Sequence, residues 1–146
     1  MRFRYSFQKI VDLKSNEKTQ AEWVLSNAVG ILQNEEDHLL TLDVEKTDIH
    51  HQLNSAVTDT TNISQVMQYQ SYLNHLKQVI VQKNIEVEKA QRNVEDKKVY
   101  LTEKLKEEKV WMKARERAQN LHSEVMRKKE QSELDEIATT RFQRPS

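Results

Sequence analysis

Five histidines are the residues of this sequence best suited to binding a transition metal. His50 and His51 are adjacent, so on a helix they point to different faces. His38, His75 and His122 are scattered along the chain. No pair therefore has the i,i+4 or loop spacing that metal binding requires, and the sequence predicts no metal site.

Acid–base catalysis and phosphate binding are the other chemistries to consider. The many carboxylates have the spacing of exposed helix surface, where nothing would remove enough water to raise a carboxyl pKa for acid–base work. The chain has one glycine, Gly30, so a glycine-rich phosphate loop is ruled out. We therefore expect a protein that is not an enzyme, with no cofactor and no small-molecule substrate.

A long helix between Val66 and Leu101 is the element that would position any functional residue. Its apolar residues recur at spacings of four and three, which is typical of a coiled-coil strand. The sequence has one Gly and one Pro, so it offers few residues that favour turns. Its 32% charged residues suit long solvated helices. The predicted seam consists of Val66, Tyr69, Leu73, Leu76, Ile80, Lys83, Val87, Ala90, Val94, Lys97 and Leu101.

A second strand with the same spacing precedes this helix. Its seam consists of Leu25, Ala28, Leu32, Glu35, Leu39, Leu42, Lys46, Ile49, Leu53 and Ala56. Residues 57–62 contribute nothing to a seam and are rich in side chains that compete for helical hydrogen bonds, so they predict a turn. Asn62 and Gln65 resemble a capping box that opens the second helix.

Two helices joined by a short turn pack antiparallel. The predicted fold is all-α, a long two-helix antiparallel coiled-coil hairpin forming a single domain over residues 1–146. Helix 1 is expected at about 7–56, the turn at about 57–63, helix 2 at about 64–138 and a frayed tail at 139–146.

The turn sets the register of the two helices. Ile49 should oppose Leu73, which places Glu35 and Lys83 in adjacent layers, where they could pair across the seam and fix the register at some expense of stability. The same register brings Phe7 near Arg115. Roughly the last thirty residues of helix 2 would then extend beyond helix 1.

Apolar residues at the open end of this hairpin form clusters wider than a seam. Phe7, Ile10, Val11 and Leu13 form one such cluster near the N-terminus. The overhang of helix 2 carries Trp111, Met112, Leu121, Val125 and Met126, which should be half exposed. Two interpretations stay open: these residues close the end of the hairpin, with Trp111 packed on Phe7 and Val11, or they dock on another protein.

The charges are balanced overall but segregated along the chain. Lys plus Arg and Asp plus Glu both number 23, which disfavours a general nucleic-acid-binding protein. Between Glu35 and Asp59, seven acidic residues stand against Lys46; between Lys109 and Lys129, seven basic residues stand against two acidic ones. These segments are either solvated faces or ends that meet different partners. Two rival hypotheses remain. The basic segment would suit a nucleic-acid-binding protein, and an overhang that pairs with its own copy would give a homo-oligomeric coiled-coil scaffold.

Compartment signals are few. The chain has no cysteine, which fits a reducing compartment. No apolar run approaches the length of a membrane span, and residues 1–6 lack the apolar core of a secretion signal. We therefore expect a soluble, cytoplasmic protein.

Three stretches carry the pattern of a known family. They are FRYSFQKIVDLK at residues 3–14, YQSYLNHL at 69–76 and EQSELDEIA at 130–138. Together they resemble bacterial flagellar FliJ proteins. The resemblance implies a component of the flagellar type III protein export apparatus, located in the cytoplasm and peripherally at the inner face of the cell membrane. Its implied partners are the FliI-like export ATPase, the export gate protein FlhA and export chaperones.

The resemblance also implies two partner-binding surfaces on a coiled-coil rod that links the ATPase ring to the gate. The gate surface, carried over by position, comprises His38, Leu42, Glu45, Ile49, Tyr72, Leu76, Val79 and Lys83. The open end, which would enter the ATPase ring, carries Phe7, Ile10, Val11, Trp111, Arg115, Leu121 and Val125. Seam spacing favours a core role for Leu42, Ile49 and Leu76, whereas Tyr72 and Val79 lie seven residues apart on one stripe and are better anchors.

Overall fold

Two long helices make up almost all of the computed structural model, which describes residues 2–59 and 62–143. Helix α1 spans Gln8–Thr58 and helix α2 spans Ile63–Gln143. The described residues contain no strand, so the predicted all-α helical hairpin is confirmed. Helix α2 continues past residue 138, so the segment predicted as a frayed tail is helical as far as Gln143; residues 144–146 lie outside the described residues.

Local hydrogen bonds define where each helix begins. The Phe7 carbonyl accepts hydrogen bonds from the backbone N–H groups of Ile10 and Val11, which opens α1. At the start of α2, Asn62 Oδ1 accepts a hydrogen bond from the Ser64 backbone N–H, at 3.2 Å. Asn62 therefore caps α2, because its side chain satisfies one of the N–H groups that a helix start leaves unpaired.

The described chain divides into two compact units. The first unit contains the described parts of Met1–Gln20 and Thr102–Ser146, and the second contains the described parts of Ala21–Leu101. Each unit therefore includes a segment of both helices. The single domain expected over residues 1–146 stays a prediction. Two units can each be compact without folding independently of each other.

The second unit is an antiparallel helix pair with an aliphatic seam. Its cross-helix contacts join Glu35 to Lys83 and Glu45 to Tyr72, so positions rise along α1 as they fall along α2. The buried core consists of Ala21, Ala28, Leu73, Leu76, Ile80, Val87 and Val94. All other predicted seam positions from Leu25 to Ala56 and from Val66 to Leu101 are half-buried, which confirms both predicted seams.

The first unit is also an antiparallel pair. Phe7 packs on Trp111 with ring centroids 6.0 Å apart, and Arg115 Nε donates a hydrogen bond to Gln8 Oε1 at 2.8 Å, which agrees with the predicted register. The segment before α1 extends this packing, because Phe3 lies against His122. The part of α2 after Arg115 extends beyond α1, as the register predicted, and the segment before α1 covers some of it. Residues 127–142 of α2 are exposed.

Candidate functional site

The proposed gate residues all lie in the second unit. His38 and Tyr72 are exposed, and Leu76 is buried. The remaining members are half-buried: Leu42, Glu45, Ile49, Val79 and Lys83. The core role favoured for Leu76 is thus confirmed, and a partner could reach this side chain only by separating the helices. Leu42 and Ile49 occupy seam positions and are only partly accessible.

Tyr72 is held by a contact between the two helices. Its hydroxyl donates a hydrogen bond to the Glu45 carboxylate on α1, and its ring lies 6.5 Å from the His75 ring. The hydrogen bond to Glu45, with smaller effects of desolvation and of the nearby negative charge, raises the Tyr72 pKa above its ordinary value. An exposed aromatic ring fixed in one orientation loses little conformational freedom on binding, which suits a docking anchor.

Lys83 is part of a charge cluster in the seam. Its ammonium lies 2.8 Å from the Glu86 carboxylate and 2.9 Å from that of Glu35. These two carboxylates raise the Lys83 pKa, with Glu86 having the larger effect, and Lys83 in turn lowers the Glu86 pKa. The cross-seam pairing of Glu35 with Lys83 expected from the sequence is therefore present. Lys83 is engaged within the unit, so its part in binding a partner would be secondary.

The proposed ATPase residues all lie in the first unit. Val11 is buried, and Phe7, Leu121 and Val125 are exposed. Ile10, Trp111 and Arg115 are half-buried. Of the two interpretations of Trp111, packing on Phe7 is the one observed. Tyr5 adds an edge-on contact to Phe7 at 5.7 Å, so these rings form a small aromatic cluster whose outer side is accessible.

The first unit also contains a closed ring of four charges that sequence reasoning missed. Lys14 lies 3.5 Å from Glu17 and 3.3 Å from Glu107, and Lys104 lies 3.4 Å from each of the same two carboxylates. Lys18 adds a pair with Glu108 at 3.7 Å. Salt bridges thus replace aliphatic packing between the two helices here.

The ring shifts the titration of its members. Lys14 first, and Lys104 less strongly, lower the Glu107 pKa against the opposing effect of burial. Partial burial by itself acts to lower the Lys104 pKa, but the carboxylates of Glu107 and Glu17 together outweigh it, so the pKa is raised. A sequence signal existed: counting back from Leu25 at spacings of four and three reaches Ala21, Lys18, Lys14 and Val11, with lysines in the place of aliphatic residues.

The described residues form neither a metal-binding cluster nor a membrane span. No group of three or more His, Cys, Asp or Glu side chains is placed there to hold a metal ion. Neither α1 nor α2, over its described length, is apolar enough to cross a membrane.

Known proteins share this sequence pattern and this helical arrangement. Residues 3–146 match the sequence model of a family described as "Flagellar FliJ protein". The chain is 26% identical over 144 residues to the flagellar FliJ protein of Bacillus subtilis (strain 168), and the match covers 97% of each sequence. A solved structure of a YscO homologue from Chlamydia trachomatis superposes with a TM-score of 0.55 at 21% identity, covering 97% of this chain and 96% of that one. The structural likeness concerns the fold alone.

Proposed function

Because the chain belongs to the flagellar FliJ family, and is thus a component of the flagellar type III export apparatus, we propose that it is a non-enzymatic link between the export ATPase and the export gate. Its partners would be a FliI-like ATPase, the gate protein FlhA and export chaperones. Binding to the gate would hold it peripherally at the inner face of the cell membrane. The family match over residues 3–146 is the observation that carries this proposal.

The second unit supports the gate half of the proposal. Tyr72 and Val79 lie seven residues apart on α2, and Tyr72 is fixed by Glu45 with its ring partly accessible. Aromatic side chains with one polar end are favoured anchors in protein interfaces. We assign the direct contact with the gate to Tyr72, Val79 and His38. The seam residues Leu42, Ile49 and Leu76 have a supporting role.

The first unit supports the ATPase half. Leu121 and Val125 are exposed and four residues apart, so they form an apolar pair on one side of α2. The Phe7–Trp111 cluster adds an aromatic surface in the same unit. Exposed apolar residues in a chain this rich in charge favour a protein partner over solvent.

A binding measurement with matched tyrosines tests the gate contact. Tyr72→Ala should weaken binding to the purified cytoplasmic part of FlhA at least about tenfold, as expected for an aromatic anchor. Tyr100→Ala is the control, because Tyr100 lies on the same helix at 44% exposure against 41% for Tyr72. Equal binding by both variants would contradict the assignment of Tyr72.

A matched aliphatic pair tests the ATPase contact. The double variant Leu121→Ala and Val125→Ala should weaken capture of the purified export ATPase, while Leu134→Ala with Ile137→Ala should not. Leu121 and Leu134 are 63% and 61% exposed, so the two variants remove similar accessible apolar surface. If the unmodified chain binds neither the ATPase nor FlhA, the linking function as a whole is refuted.

A further inference from the structure

Two exposed stripes of side chains have the same residue spacing and opposite charge. The acidic stripe, on α1 in the second unit, consists of Glu36, Leu40, Val44 and Asp48. The basic stripe, on α2 in the first unit, consists of Arg117, Leu121, Val125 and Lys129. Each stripe is an aliphatic pair four residues apart, with a charged residue four positions before it and another four positions after it. All eight side chains are exposed.

Such a stripe has the geometry of a helix-packing ridge. Residues at i, i+4, i+8 and i+12 follow one another on the helix surface and span about 18 Å at 1.5 Å rise per residue. Ridges of this class on two facing helices interdigitate at a crossing angle of about −50°. Neither stripe overlaps the seam of its own unit, because the seam positions are the half-buried or buried ones.

The surroundings of each stripe reinforce its charge. Asp37 and Asp43 are exposed next to the acidic stripe, and Lys46, the one lysine or arginine between Glu35 and Asp59, occupies a half-buried seam position. Exposed Lys113 and Lys128 flank the basic stripe. Exposed Glu116 and Glu124 also lie beside the basic stripe, but seven basic residues outnumber them between Lys109 and Lys129. The acidic stripe therefore lies in a negative field and the basic stripe in a net positive one, so like stripes repel and opposite stripes attract.

We propose that the acidic stripe of one molecule docks on the basic stripe of a second copy of this chain. Charge complementarity selects this occupant, because the two aliphatic pairs would meet while both ends of each stripe face an opposite charge. The ends of each stripe carry the same sign, so the charges fit in either helix direction. Each copy carries one stripe of each kind, so any copy can supply either side of the contact.

The contact is short, so the association is weak, reversible and sensitive to salt. It does not depend on the linking function proposed above, since only the chain itself takes part. Leu121 and Val125 belong to both the basic stripe and the proposed ATPase surface. If that surface is correct, self-pairing and ATPase binding exclude each other.

Charge reversal in the full chain tests the pairing by sedimentation equilibrium. The unmodified chain should associate with increasing concentration, at least about tenfold more weakly in high salt than in low salt. The variant Glu36→Lys with Asp48→Lys should be monomeric, and so should Arg117→Glu with Lys129→Glu. An equimolar mixture of the two should associate again, because each variant retains the stripe that the other needs.

Two controls separate the stripes from unspecific attraction. Asp96→Lys with Glu103→Lys makes the same change in net charge at exposed positions outside the stripes, and it should leave self-association intact. Val44→Gln should reduce association, whereas Val99→Gln, at 59% exposure against 55% for Val44, should not. Any of three results would overturn the proposal: the unmodified chain is monomeric at every concentration, the control variants lose as much self-association as the stripe variants, or the equimolar mixture of the two charge-reversed variants stays monomeric.

Discussion

The ammonium of Lys83 on α2 lies 2.9 Å from the Glu35 carboxylate on α1, within a seam whose neighbouring layers are aliphatic. A slip of one helical turn would place Lys83 against Leu32 or Leu39 instead, leaving a half-buried cation without its cross-helix partner. The pair therefore favours one register of the second unit.

Replacing both Glu35 and Lys83 by an apolar residue should raise the stability of the helix pair but make its register less well defined. We expect Glu35→Leu with Lys83→Leu to raise the midpoint of thermal unfolding, because apolar packing replaces partly desolvated charges. It should also broaden the distance distribution between spin labels on cysteines introduced at Thr47 and Asn74, which is feasible because the chain has no native cysteine. The exposed pair Glu95 and Lys98 is the control, and its replacement by alanine should change neither measurement. A narrow, unchanged distribution in the leucine variant would show that the pair does not set the register.

The charge ring of the first unit predicts that the protein loses stability at acid pH. The Glu107 pKa is lowered on folding, so this carboxylate favours the folded state above its unfolded value near 4.5, and that contribution disappears as pH falls through the lowered value. Thermal unfolding measured between about pH 7 and pH 3 should therefore show a shallower decline in Glu107→Gln than in the unmodified chain. Glu103→Gln, which alters an exposed carboxylate of the same unit, should keep the original slope. Identical slopes in all three proteins would count against the ring.

Removing the most buried leucine should be costly. Among the described residues Leu73 is the largest fully buried side chain, so Leu73→Ala should lower the free energy of unfolding by about 2–4 kcal/mol through lost burial and the cavity left behind. The exposed residue Val81 provides the comparison, and Val81→Ala should stay within about 0.5 kcal/mol of the unmodified chain. Urea titration followed by helical circular dichroism gives both values. A loss below 1 kcal/mol at Leu73 would mean that the seam closes around the gap.

The Tyr72–Glu45 contact should be visible in tyrosine titration. Glu45 raises the Tyr72 pKa, chiefly as the acceptor of the hydroxyl hydrogen bond, so Glu45→Gln should lower that pKa back toward 10.0. Since the raised pKa belongs to the folded state, the bond favours folding below about pH 10 and is lost as pH rises through the folded value. Titration by NMR with labelled tyrosine measures the shift. Tyr100 serves as the internal reference, and a parallel change at both tyrosines would argue against a local hydrogen bond.

Sequence periodicity predicted much of the second unit. Aliphatic residues such as Leu73, Ile80 and Val87 repeat at spacings that only a helix brings onto one side, and a short turn makes the two helices antiparallel. The register set by the turn placed Glu35 and Lys83 in adjacent layers, and their opposite charges then predicted a pair across the seam. These features follow from repeats local to each helix, which a single sequence contains in full.

The tertiary structure alone decided which polar residues outside the predicted seam positions belong to an interface. Lys14 looks like an interruption of a seam until Glu107, 93 residues later, supplies its countercharge, and the Tyr72–Glu45 bond likewise joins residues 27 positions apart. Periodicity does not identify these two pairs, because Glu107, Glu45 and Tyr72 lie outside the predicted seam positions and therefore read as solvent-exposed. The sequence by itself determined the helices and their apolar seam; the packing of one helix on the other determined which charges complete it and which exposed side chains remain for partners.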